Sequence, residues 1–378
     1  MTILIVGAGP AGLYLAYLLK RHEPRHDIRI VEQNDADSTY GFGVVFSDRA
    51  LDFLRDDDEE TYRLITPAMQ HWTDLALFHR GERVVIDGVG FAAIGRLELL
   101  KLLRQRLASV GVVPEYRHTV ADEAEISGYD LVVGADGANS FVRRRSEAAF
   151  GTRVELLSNR FAWYGTTRAF ETLSQTFVDT PVGPMNAHHY RYAPAMSTFI
   201  VECDAATWQR ARFETMADAQ TRATLESAFA DALQGHPLVA NKSIWRRFPK
   251  IRNDRWSVGN RVLVGDALRT AHFSIGSGTR LAFEDVIALA AALRDHSGDV
   301  PAALETYEGA RRPIVDKLVA AANRSADWYA HFAEHMRLVP WQLAWSYIQR
   351  SGRVDVDRLR QVSPLFVAEY EARLSVSG

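Results

Sequence analysis

Ile3-Leu4-Ile5-Val6-Gly7-Ala8-Gly9-Pro10-Ala11-Gly12 decides the fold. Its apolar start, residues 3–6, reads as a buried parallel strand. Residues 11–20 read as the helix that follows, and Ile28-Arg29-Ile30-Val31 as a second strand ending at Glu32. The three form a βαβ unit of the dinucleotide-binding kind. Gly7 permits the tight turn, Gly9 lets backbone approach a pyrophosphate, and Gly12 lets the helix pack closely on the strand. The helix start at Pro10 and Ala11 turns partial positive charge toward those phosphates. Glu32, 20 residues beyond Gly12, is placed to accept hydrogen bonds from adenosine ribose hydroxyls. Alone, this unit serves FAD and NAD equally well.

Two later segments separate them. Gly134-Ala135-Asp136-Gly137-Ala138-Asn139-Ser140 follows the apolar run Leu131-Val132-Val133, and Gly265-Asp266-Ala267 follows Val262-Leu263-Val264. In each, an acid beside a glycine follows a buried strand. Asp136 and Asp266 are thus candidates to accept from a ribityl hydroxyl or to fix a loop beside the pyrophosphate. Beyond Asp266 runs Ala271-His272-Phe273-Ser274-Ile275-Gly276-Ser277-Gly278-Thr279. Gly276 and Gly278, with Thr279 before the helix from Leu281, would expose backbone N–H groups near a flavin ring. The chain carries one dinucleotide fingerprint, so NADH or NADPH is expected as a transient co-substrate.

Composition bounds the rest. At 378 residues, 47% apolar and 24% charged, a folded protein with a large core is expected. A net charge of -3 argues against nucleic acid as a partner. Cys203 is the only cysteine, so no intrachain disulfide forms, which suits a reducing cytoplasm. No signal peptide is read, and the apolar stretch 281–293 is too short and too charged to span a membrane. Oligomeric state is not legible.

The expected class is α/β: a Rossmann-like FAD-binding domain with an inserted antiparallel-sheet substrate domain and C-terminal helices. Residues 1–154 form the first part of the FAD domain, with short excursions to the substrate sheet. The substrate domain is mainly 155–260, the FAD domain returns over 261–295, and 296–378 is helical. Strands are expected at 161–167, 188–192 and 197–203, helices near 205–234, and a helix over 96–107. Asp56-Asp57-Asp58-Glu59-Glu60 reads as a solvated turn or helix end, and Arg143-Arg144-Arg145 as a solvated helix start rather than a phosphate site.

The three motifs, in this order, resemble the para-hydroxybenzoate hydroxylase-like class A flavoproteins from residue 1 to roughly 330. Four strings resemble one branch: Gly41-Phe42-Gly43-Val44-Val45-Phe46-Ser47-Asp48, Ile94-Gly95-Arg96, Trp163-Tyr164-Gly165-Thr166 and the run 272–279. That branch holds the salicyloyl-CoA 5-hydroxylases, 2-aminobenzoyl-CoA monooxygenases and the violacein-pathway indole hydroxylase. The resemblance implies a monooxygenase that uses FAD, NAD(P)H and O2 to hydroxylate an electron-rich aromatic ring through a flavin C4a-hydroperoxide. A salicyloyl- or anthraniloyl-type CoA thioester is the first substrate candidate, and an indole or other natural-product intermediate the second. It further implies that Arg96 contacts the ribityl or pyrophosphate and Asp266 the ribityl chain. Leu268-Arg269 departs from the family's usual Ala-His, the loop proline is missing, and Arg280 stands near the usual Asn.

In such chemistry the flavin carries the reactive oxygen while the protein positions the ring and excludes water. No catalytic triad is expected. His272 is the first candidate for a polar active-site group. His188 and Tyr190, on one side of their strand, and Tyr164 are candidates for substrate contact. His331-Phe332-Ala333-Glu334-His335 fits a zinc pattern but has no evident third ligand, so no metal is expected. A flavin halogenase lacks its W-x-W-x-I-P string here.

Overall fold

A computed structural model describes residues 1–47 and 51–377 of the chain; Asp48, the last residue of the first branch-like string, lies outside them. The run Ile3–Val6 sits at the centre of a six-stranded sheet. Its strand, Thr2–Val6, pairs in parallel with Asp27–Glu32 on one side and Leu131–Gly134 on the other. Strand Arg261–Leu263 extends the sheet past Leu131–Gly134, again in parallel. Ile3, Leu4 and Ile5 are fully buried because helices cover the sheet, which explains an apolar run without alternation. The helix Pro10–His22 starts on a proline whose missing N–H costs nothing there and ends on Lys20, Arg21 and His22, which suit the negative end of the dipole. The helix Gly278–Asp295 packs on it, with Tyr14 and Phe283 edge to face at 5.3 Å.

A seven-stranded sheet forms the second layer. Its order is Leu238–Val239, Arg160–Thr166, Met196–Cys203, Gly183–Ala193, Leu173–Thr180, Leu75–His79 and Glu82–Ile86. All its pairs are antiparallel except Leu173–Thr180 with Leu75–His79. One face carries Tyr164, Phe199 and Val201 against Leu225, Phe229 and Leu233 of the segment between 205 and 233. The other carries Phe177 and Tyr190 toward C-terminal helices that supply Trp328, Tyr329 and Tyr347. A three-stranded sheet, with Phe91–Gly95 between Gly43–Ser47 and Gln70–Trp72, bridges the two layers.

Two charge clusters differ from the sequence expectation. Asp58 is buried: it caps the helix Glu59–Ile65 and takes Arg21 at 3.2 Å, with Tyr14 also bonded to it. A lone run of acids gives no sign that one of them has cations waiting from other helices. Arg143 is also buried, with Nη1 donating to the Ala267 carbonyl at 2.8 Å and Nη2 to that of Ala138 at 2.5 Å. It ties the second motif to the third. No helix among the described residues is long and apolar enough to cross a membrane.

Candidate active site

The first glycine motif forms a tight cradle. Gly7 has φ +105° and its N–H donates to the Val31 carbonyl at 2.8 Å. A Cβ at Gly7 would stand 2.5 Å from the Ala135 carbonyl oxygen, and one at Gly12 would stand 2.0 Å from that of Gly7. Gly9, by contrast, has open space above it at the N-cap of the helix, where no side chain caps the free N–H groups of Ala11 and Gly12. An uncapped helix start with room above it suits a pyrophosphate. Glu32 stands at the rim: Ala8 N–H donates to its Oε2 at 3.0 Å, and Asn34 donates to Oε1 from its backbone at 2.9 Å. Oε1 also accepts from Asn34 Nδ2 at 2.7 Å, so Oε2 is the oxygen that keeps a lone pair for a ribose hydroxyl.

The two acids of the later motifs behave differently. Asp136 turns Oδ2 into the helix after it, accepting from Phe141 N–H at 2.6 Å, while its buried Oδ1 has no partner. Its first task is therefore the loop. Asp266 lies in the first turn after strand 261–263, exposed at the surface yet near the guanidinium groups of Arg96 and Arg269. The protein atoms around it raise its pKa, and Arg96 and Arg269 pull it back down. Arg96 makes no side-chain hydrogen bond or ion pair among the described residues, though its N–H donates to Phe42 O at 2.8 Å. A guanidinium left without a hydrogen-bond partner near a carboxylate fits the polar chain of FAD. Behind Asp266, the Arg269–Asp285 pair at 2.6 Å and Arg311–Asp285 at 3.2 Å lock the motif to the helices that follow.

In the loop after Asp266, Gly278 begins the helix Gly278–Asp295 with open space beside it, and Thr279 lies in its first turn. No side chain caps this helix, so its first N–H groups point outward. Gly276 departs from the expectation of a free N–H. Its N–H donates to the Phe273 carbonyl at 3.0 Å in a left-handed turn, φ +60°. Glycine is needed there for the turn and for Val45, whose Cγ1 would lie 3.0 Å from a Cβ. A tight turn consumes the amide that the motif alone suggests is available.

His272 is buried within an aromatic box: Phe273 at 4.3 Å, Phe248 at 4.9 Å and Tyr329 at 5.8 Å between ring centres. Its Nδ1 takes Ser274 Oγ at 2.8 Å and accepts from Ser274 N–H at 3.4 Å. A ring nitrogen that accepts a backbone N–H is unprotonated, so the proton rides on Nε2. Burial first, then Arg350 and His188, push its pKa down to about 3. The ring is neutral at pH 7 and presents an N–H donor. His188, across from it on the sheet, is likewise pushed to about 3 by burial, and neither ring nitrogen has a partner. Tyr190, beside His188 at 5.5 Å, spends its hydroxyl on the Gly43 carbonyl at 3.0 Å. It braces the strand Gly43–Ser47 to the sheet.

Tyr164 does not join this group. It lies on the opposite face of the sheet, opposite Phe199, under the helices between 205 and 233. Its neighbour Trp163 faces the other way, over Gly41, where an added Cβ would stand 3.0 Å from the indole ring. The alternation put the two on opposite sides, but the choice of inward side was made by the helices that cover one face. Sequence reading also missed Glu202 and Asn159, buried together beside His272. A lone glutamate within the apolar strand 198–203 was the available signal.

Comparison with known proteins identifies the family. An FAD binding domain family model matches residues 105–322, and an NAD(P)-binding Rossmann-like domain model matches 5–39. The chain is 41% identical to a salicyloyl-CoA 5-hydroxylase of Streptomyces sp, over 93% of this chain and 70% of that protein. It is 39% identical to a 3-hydroxy-4-methyl-anthranilyl-[aryl-carrier protein] 5-monooxygenase of Streptosporangium sibiricum, over 88% and 90%. It is 35% identical to the protodeoxyviolaceinate monooxygenase of Chromobacterium violaceum, over 93% and 94%. The fold is also that of a probable FAD-dependent monooxygenase from Pseudomonas aeruginosa, TM-score 0.69 at 22% identity, over 92% of this chain and 99% of that one. With a cradle that fits FAD and this degree of likeness along nearly its whole length, the chain belongs to the FAD-dependent aromatic hydroxylases of the para-hydroxybenzoate hydroxylase-like class, in the branch of salicyloyl-CoA 5-hydroxylase.

Proposed function

We propose that this aromatic hydroxylase acts on a ring carried as an acyl thioester of the salicylate or anthranilate type. The observation that carries this reading is the 41% identity over 93% of the chain to a salicyloyl-CoA 5-hydroxylase, backed by the carrier-protein-dependent relative at 39%. One surface supports it. Lys242, Arg246 and Arg247 are exposed, and with Arg160 they have no carboxylate partner among the described residues. Arg247 holds the carbonyls of Leu156 and Leu157 at 2.5 and 2.8 Å, and Leu157 lines the cavity beside His272. A cationic rim at a pocket suits the phosphates of a CoA.

Bound FAD, reduced by NAD(P)H, supplies the oxygen chemistry. The protein's own part is positional. Gly9 and the helix start after it would take the pyrophosphate, Glu32 the adenosine ribose, and Arg96 and Asp266 the ribityl chain. The N–H groups at Gly278 and Thr279 would face the ring system. His272 gives a neutral N–H donor toward the substrate, and Phe161, Phe248 and Phe273 exclude water. The nicotinamide co-substrate has no domain of its own and binds transiently.

Purified enzyme with FAD, NAD(P)H and O2 should convert salicyloyl- or anthraniloyl-CoA to a product one oxygen atom heavier, and the free acids far more slowly. Equal rates on free acid and thioester would sink the thioester reading. Arg96→Ala and Asp266→Ala should each weaken FAD binding by about 1.5–3 kcal/mol, the worth of a charge-assisted hydrogen bond. Flavin fluorescence on dilution measures this, and full retention in either variant removes that residue from the cofactor site. His272→Ala should keep its flavin but lose up to about 10²-fold in coupled product formation, with peroxide in its place. Unchanged coupling would take His272 out of the site.

A further inference from the structure

Beneath the seven-stranded sheet lies a cavity of about 10 Å³, lined by Asn159, Glu202, His272, Phe161, Phe248 and Ala326 among others. That is room for about one water-sized group. Its polar wall is unusual. Glu202 is 3% exposed, and its Oε2 has no partner. Asn159 Nδ2 donates to Glu202 Oε1 at 2.7 Å and to the Tyr329 carbonyl at 2.8 Å, while Asn159 Oδ1 is buried without a partner. Buried polar atoms are almost always satisfied, and two orphans on one small cavity call for an explanation.

The hydrogen-bond pattern fixes their polarity. The Tyr329 carbonyl only accepts, so the asparagine amide turns its NH2 toward it and Oδ1 away. Glu202 Oε1 accepts from that same NH2, which leaves Oε2 as the place for a proton. Glu202 and Asn159 thus line one hydroxyl-sized space, and their unpaired atoms are a donor, Glu202 Oε2–H, and an acceptor, Asn159 Oδ1. A ring hydroxyl accepts the first and donates to the second. We propose that Glu202, held by Asn159, is the substrate-positioning group that recognises the ring hydroxyl of the aromatic substrate. The proposal rests on the hydroxylase reading above.

Burial raises the Glu202 pKa to about 8, and the bond from Asn159 lowers it. The other titratable or charged groups around it are His272 from the loop, His188 from the sheet, Tyr329 and Arg350 from the C-terminal helices, and Cys203 and Arg160 along the strands. Both histidines stay neutral, and burial raises the Tyr329 phenol and the Cys203 thiol. Glu202 is therefore the group of this set that changes charge near pH 8. Its donor exists below that pH and is lost above it.

The test is calorimetric titration of the FAD-loaded enzyme with salicyloyl- and benzoyl-N-acetylcysteamine thioesters, which differ by the ring hydroxyl. Wild type should prefer the salicyloyl ligand by at least about tenfold at neutral pH. E202M should lose that preference while binding the benzoyl ligand as before, and E202Q, whose amide keeps donor and acceptor, should retain it. As pH rises through about 8, the wild-type preference should fall and that of E202Q should not. The comparison of E202Q with wild type decides the matter even where E202M fails to fold. Retained preference in E202M, or a parallel decline in E202Q, overturns the proposal and leaves a trapped water as the cavity's content. A wild type indifferent to the hydroxyl overturns it too, yet leaves ring hydroxylation standing. Only a wild type that binds and hydroxylates no aromatic thioester would remove both.

Discussion

Asp285→Ala is expected to destabilise the enzyme by about 3–5 kcal/mol, the cost of breaking a buried ion pair from one side. Asp285 is 0% exposed, and Arg269 and Arg311 are each 7% exposed. Arg269 spends Nη2 on Asp285 Oδ2 at 2.6 Å, and Arg311 spends Nε on Oδ1 at 3.2 Å. Arg311 has a second partner in Glu284 at 2.8 Å, whereas Arg269 has already left Nε and Nη1 unpaired. Removing the carboxylate would leave the Arg269 guanidinium without its hydrogen-bond partner, with the Trp256 ring at 5.4 Å and the charge of Asp266 nearby. A domain's net stability is about 5–15 kcal/mol, so the loss takes a large share of it. Because Arg269 follows Asp266 by three residues, flavin should be released at a lower temperature as well. Denaturant unfolding checks the size: a change under about 1 kcal/mol would mean that the pair only balances its own desolvation.

Gly12→Ala is expected to be the most damaging single methyl in the molecule's cofactor cradle. Helix propensity alone would favour alanine by about 1 kcal/mol. Sterics win decisively, because the added Cβ would stand 2.0 Å from the Gly7 carbonyl oxygen and 3.2 Å from Ile5 Cγ2. The helix would have to lift off the central strand, where Ile5 and Leu13 are fully buried. The expected result is colourless protein or none in the soluble fraction. Gly9→Ala supplies the contrast. Its φ of -74° suits any residue and no atom lies within 4 Å of the new methyl. Its fold should survive, and its loss should be confined to FAD affinity. Equal unfolding midpoints for the Gly12→Ala and wild-type apoproteins would contradict the packing argument.

The cofactor cradle was legible because its parts are written in contiguous runs. A strand, a glycine turn and a helix start are set by backbone geometry over ten residues, so Gly7 takes the positive-φ turn, Gly12 the close packing and Gly9 the open helix start that their positions in the run imply. The same reading went astray wherever a partner comes from far along the chain. Asp58 reads as solvated until Arg21 and Arg106 arrive from other helices. Gly276 reads as an open amide until its own turn closes on Phe273.

The substrate end shows the limit most clearly. Strand alternation said that Trp163 and Tyr164 face opposite ways, but only the helices covering Phe199 and Val201 decide that Tyr164 faces out. Glu202 and Asn159 are 43 residues apart, and Tyr329 is 170 from Asn159. Their meeting depends on sheet register and on how the C-terminal helices dock. Order along the chain thus determined the nucleotide grip, since short-range backbone stereochemistry is enough to make it. Which polar groups share the buried cavity was decided only by tertiary packing, because burying a glutamate is tolerable only where a distant segment brings it a partner, as Asn159 does.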